Sequence, residues 1–216
     1  MTTRFVPVLG TWAFDGTPDP GADWWMPGSD LLKHLAATEG LEHARPDEPF
    51  VWCSGLDGVR GADAHWIAAA ANLAAYLRAL PYEDRNVVAH SHGGQVAILA
   101  CVYEQGFRAR TGKPIGDPFI RRLMTVCSPV RKDLIDEAQQ AKPLIGSWLH
   151  VASNGGVFDK WQVLGELFDG RLGIYRAHPV ADINDRVRDI GHSRILRDRA
   201  LFPLWSSRRW AAFLRE

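Results

Sequence analysis

The sequence predicts a three-layer α/β domain, a mostly parallel sheet of about six strands with helices on both faces. Three observations carry that reading. Short apolar runs of strand length alternate along the chain with amphipathic segments of helix length. The composition, 46% hydrophobic and 23% charged, is that of a globular protein and not of a disordered or fibrous one. The length of 216 residues fits a single domain spanning 1–216.

The elements follow in order. Residues 5–9 read as the first strand, ended by Gly10, and the Pro/Gly/Asp-rich stretch 15–29 is the longest loop candidate. Residues 31–38 are helical, with Ser29 or Asp30 as the cap. Residues 50–53 read as a second strand. Asp63 caps a long helix through Leu80, with Trp66, Ala70, Leu73 and Leu77 at helical spacing on its apolar face. Strands are predicted at 86–89, 123–127 and 148–152, and helices at 95–104 and 133–141. A last strand falls between 176 and 188, and a final helix within 205–214. Strands alternating with helices of this length imply right-handed crossovers and a sheet covered on both sides.

Composition also excludes functions. Lys+Arg and Asp+Glu both number 25, so the basic excess of a nucleic-acid binder is missing. Cys53, Cys101 and Cys127 show no CxxC spacing and read as small core residues. The first residues lack a cationic start with a long apolar run, and no segment is long and apolar enough to span a bilayer. The expectation is a cytoplasmic protein. No dinucleotide or P-loop glycine pattern is present, and His90 and His92 are spaced i,i+2, which suits no helix-face metal site. No metal or cofactor is expected, and oligomeric state is not predicted. Charge is uneven: residues 1–60 hold nine acidic and four basic side chains, and residues 186–216 hold three acidic and eight basic. Two such segments can lie against each other, or the second can form a patch for an anionic partner.

The segment that carries chemistry is Asn86-Val87-Val88-Ala89-His90-Ser91-His92-Gly93-Gly94-Gln95-Val96-Ala97. A buried strand runs into Ser91 and then directly into a helix. So sharp a turn forces the central residue into a strained backbone conformation and needs small neighbours two positions either side, here Ala89 and Gly93. It lifts the serine hydroxyl to a helix N-terminus, where backbone N–H groups can bind a developing oxyanion. A helix cap would account for the serine alone, but not for two flanking histidines and a Gly-Gly pair.

The stretch Ala89-His90-Ser91-His92-Gly93-Gly94 resembles the nucleophile elbow of the α/β-hydrolase superfamily, on its lipase and esterase side, with alanine in place of the usual first glycine. The resemblance implies a minimal α/β-hydrolase fold whose first two strands are absent, and a Ser-His-Asp triad in the chain order nucleophile, acid, histidine. Ser91 is then the nucleophile. His192, in the Gly191-His192 loop before the final helix, is similar to the family's histidine loop, with His178 as second candidate and His150 set aside as a strand residue. Asp159, after the strand at 148–152, is similar to the family's acid loop, with Asp169 as runner-up. The resemblance places the oxyanion donors at the backbone N–H of His92 and of Thr11, with Trp12 second to Thr11. Trp12, Trp24, Trp25 and Trp161, with His90, are the expected substrate contacts, offering apolar surface to an acyl or aromatic group. The implied activity is hydrolysis of a small-molecule carboxylic ester through an acyl-enzyme. The same parts serve an amidase or thioesterase, and a binding module without activity can share the fold.

Overall fold

The structure, a computed structural model, describes residues 2–10, 23–52, 62–114, 116–131, 134–153, 177–188 and 190–216. Its strands form one six-stranded sheet, every pair parallel, in the order β2-β1-β3-β4-β5-β6. In chain order these are β1 (Thr3–Val8), β2 (Leu41–His43), β3 (Asn86–His90), β4 (Ile120–Val126), β5 (Ile145–Ser153) and β6 (Ile183–Val187). The helices are α1 (Asp30–Glu39), α2 (Ala62–Arg78), α3 (Gly93–Thr111), α4 (Ile135–Ala141), α5 (Arg194–Arg197), α6 (Leu204–Ser207) and α7 (Trp210–Arg215).

Burial sorts the strands. All five residues of β3 and the last four of β4 are buried, as befits central strands covered on both faces, whereas only Val187 of β6 is. Parallel neighbours need right-handed crossovers. These put α2, α3 and α4 side by side on one face, and α1 on the other, where α7 also packs across β1 and β4. The sequence expectation of an α/β fold with six strands holds. Among the described residues no helix is long and apolar enough to cross a membrane.

Two elements differ from the sequence reading. Of the strand expected at 50–53, residues 50–52 are described and are not strand, and Cys53 lies outside the described residues: the second strand is Leu41–His43, an edge strand with Glu42 exposed. Phe50 and Trp52 are buried through their side chains without strand pairing, Phe50 against the Tyr76 ring at 5.7 Å and Trp52 with an indole N–H donated to the Leu9 carbonyl at 3.0 Å. The helix expected within 205–214 breaks at Arg209, whose φ of 61° leaves the helical region and divides α6 from α7.

The basic C-terminal segment lies on the acidic N-terminal one. Arg199 pairs with Asp30 at 2.7 Å, Arg215 with Glu39 at 2.7 Å, and Arg197 with Asp23 at 3.8 Å. The arginines of these pairs are exposed, and surface pairs contribute ~0–1 kcal/mol each, so their role is to register the C-terminal segment on α1 and on Asp23 before it.

A buried ionic cluster joins α2 to α3. Glu104, 3% exposed, accepts from Arg78 at 2.7 Å and from Arg108 at 2.9 Å, and Arg108 also donates to the carbonyls of Pro114 and Asp117. Removing the carboxylate leaves two guanidinium groups without a counter-charge. Glu104→Gln is therefore expected to cost about 3–5 kcal/mol of stability in urea unfolding. A loss under about 1 kcal/mol would mean that water takes over the pairing.

Candidate active site

The sheet order reverses between β1 and β3: the chain leaves β1 toward β2 on one side and continues from β3 to β4 on the other. In open α/β sheets the crevice beyond the carboxyl ends of the strands at such a point is where ligands bind. Gly10 follows β1 there and Ser91 follows β3.

Ser91 has φ 52°. For a residue with a Cβ this left-handed conformation costs roughly 1–2 kcal/mol, and the surroundings hold it in place. Its N–H donates to the Val126 carbonyl at 3.0 Å, and its carbonyl accepts from Gly94 N–H at 3.0 Å. Here β3 stops and α3 begins, with His92 at the helix cap. A Cβ on Gly93 would lie 2.5 Å from the Leu9 carbonyl oxygen, and one on Gly10 would lie 2.6 Å from Ser91 Cβ. These two glycines let the end of β1 pass directly over the elbow. Trp52 holds that passage from behind through its bond to Leu9. Cys127, at the end of neighbouring β4, is a second left-handed residue with φ 51°.

The histidines separate clearly. The ring of His192 lies against that of His90 with centroids 4.7 Å apart, and His90 Nε2 is 3.1 Å from the His192 carbonyl oxygen. The His192 loop is also tied to β5, where Ser153 Oγ donates to the Ile190 carbonyl. His178 is elsewhere. It is buried against the Trp148 ring at 4.3 Å, inside the span of β5 and not beyond its carboxyl end. His150 is fully buried on β5 with Nδ1 2.9 Å from Thr125 Oγ1, as its strand position predicted.

Burial sets the charge of the site. Desolvation, with the nearby His192, pushes His90 well below the ordinary histidine range. Burial first, then the Arg131 guanidinium and His192, push His92 down to about 4. Both imidazoles beside Ser91 are thus neutral at pH 7. His92 packs on the Trp66 ring at 5.0 Å, and Arg131 lies over that indole at 4.6 Å.

Of the predicted site residues, Ser91, His90, His92 and His192 are brought together. Trp24 and Trp25, expected to offer surface to a substrate, are 2% and 1% exposed and belong to the core, with the edge of Trp24 toward His90 at 6.2 Å. His90, also expected to touch substrate, is itself buried and spends its ring on His192 and Trp24. Thr11, Trp12, Asp159 and Trp161, and the runner-up Asp169, lie outside the described residues. Sequence reasoning missed Trp52, Trp66 and Arg131, because their connection to the site runs through contacts distant in the chain. Only Gly10 and Gly93 were visible locally.

No family model and no curated protein matches the sequence. Among solved structures, the esterase domain of a Rhodothermus marinus protein is similar over 98% of this chain and 88% of that chain, with 10% identity and a TM-score of 0.43.

Proposed function

We propose that the protein is a serine hydrolase that cleaves a carboxylic ester. The observation that carries this reading is Ser91, a non-glycine residue held at φ 52° where the sheet order reverses, with the His192 ring beside its neighbour His90. Strained backbone of this kind marks functional sites.

Ser91 Oγ attacks the ester carbonyl while His192 takes its proton. The tetrahedral oxyanion rests on the backbone N–H of His92 and on that of Thr11 or Trp12, the residues that follow Gly10 in the sequence. His192 returns the proton to the leaving alcohol, and water then hydrolyses the acyl-enzyme by the same exchange. Asp159 holds the His192 tautomer. The chain leaves β5 at Ser153, which is bonded to Ile190, two residues before His192. Asp159 follows that point by six residues in the sequence, a spacing that supports its assignment as the acid. Trp12 and Trp161 are assigned to the apolar side of the substrate.

A second reading, a binding module without catalysis, draws on one observation: Ser91 is only 8% exposed. A fluorophosphonate probe decides between them. It should label the protein once, with peptide mapping placing the phosphonyl group on Ser91. A folded protein that takes no label, or takes it on another residue, would overturn the hydrolase reading.

A further inference from the structure

We propose that His90 is a positioning residue for the general base, a strut that fixes the His192 loop to the nucleophile elbow. The proposal rests on the serine-hydrolase reading above and adds to it the means by which the base is held.

His192 arrives from a loop 102 residues away in sequence from His90, on the far side of the acid segment. The loop between Ile190 and the four-residue helix α5 is short in regular structure: Arg194 N–H bonds back to the Gly191 carbonyl, and little else of it is periodic. Its backbone needs an anchor near Ser91. His90 supplies one, with Nε2 3.1 Å from the His192 carbonyl oxygen. A carbonyl can only accept, so the imidazole donates, which fixes His90 as the Nε2–H tautomer. Since His90 directly precedes Ser91, this bond couples the backbone of the base to that of the nucleophile with no residue between. The strut itself is locked. Trp24 meets the ring edge-on at 6.2 Å, and Gly10 closes over the opposite nitrogen, where an added Cβ would lie 3.2 Å from His90 Nδ1. Burial keeps the ring uncharged, so an imidazolium formed on His192, with ring centroids 4.7 Å apart, meets no like charge there.

The test compares His90→Phe, which keeps a ring of similar shape but deletes the donor, with His90→Gln. Gln carries an amide N–H at the same number of bonds from Cβ as the imidazole Nε2. Backbone hydrogen–deuterium exchange of residues 190–196 should rise roughly ten-fold in His90→Phe, the size of one lost hydrogen bond. It should return toward wild type in His90→Gln. The kcat for an activated ester should fall about 100-fold in His90→Phe with KM within two-fold, the cost of a base displaced by an ångström, and recover largely in His90→Gln. Unchanged exchange and kcat in His90→Phe would overturn the strut. Equal losses in both variants would overturn it too, making the position one of packing alone. Should neither variant fold, long-range proton–nitrogen correlation on histidine-labelled wild-type protein decides, an Nδ1–H tautomer at His90 refuting the bond. Failure of the hydrolase reading shows differently: wild-type protein without turnover or label, while the exchange arm still reports on the bond.

Discussion

His192→Ala is expected to lower kcat by ~10⁴- to 10⁶-fold, the range over which serine hydrolases lose activity when a triad member is removed, while His178→Ala stays within a few-fold of wild type. A serine hydroxyl is a weak nucleophile at neutral pH, so without a base the attack step loses its driving force. The distinction between the two histidines is geometric. The His192 ring lies 4.7 Å from the ring of the residue preceding Ser91, whereas His178 packs on Trp148 and its backbone is bound to Asn184. Steady-state kinetics on an activated ester, with far-UV dichroism to confirm folding, separates them. A dead His178→Ala beside an active His192→Ala would move the base to the other loop and undo the site as drawn.

Acid is expected to unfold the protein near pH 5. Burial pushes His43 and His178 down to about 4, and burial with Arg131 and His192 does the same to His92, while His90 goes well below its ordinary value. An unfolded histidine binds its proton near pH ~6.5. Below that pH the unfolded chain holds more protons than the folded one. The stability from keeping these rings neutral is thus complete above about pH 6.5 and is lost as pH falls from there toward 4. At pH 5 each ring costs on the order of 2 kcal/mol, and four together approach the ~5–15 kcal/mol that holds a domain folded. Tryptophan fluorescence and dichroism should fall in one transition, with an uptake of roughly three to four protons per chain. A protein still native at pH 4 would show that these rings become hydrated without unfolding. Because His90 and His92 flank Ser91, ester turnover should vanish with the same transition.

Much of this molecule was legible before its structure. The strands β1, β3, β4 and β5 are central, and a strand buried on both faces must be an apolar run of limited length, as Val87-Val88-Ala89 and Trp148-Leu149 are. The elbow was legible for the same local reason. Its strain at Ser91 depends on consecutive residues, and its small neighbours Ala89 and Gly93 are written two positions either side. The short edge strand Leu41–His43 was not, since three residues with one exposed carry too little periodicity to register. Phe50 and Trp52 misled because burial and strand pairing are separate requirements, and these two meet only the first.

The sequence by itself determined the α/β class, the central strands β1, β3, β4 and β5, and the position of a strained serine between strand and helix. These follow from the order of apolar runs and from the backbone freedom of neighbouring residues, both local properties. Only the tertiary structure decided that Trp24 and Trp25 serve the core, that the basic C-terminal segment closes onto the acidic N-terminal one, and that His90 bonds to the His192 backbone. Each of these is a contact between residues far apart in the chain. The charge asymmetry along the chain allowed the second contact without choosing it over an anionic partner, and the partners in all three meet only once the sheet has assembled.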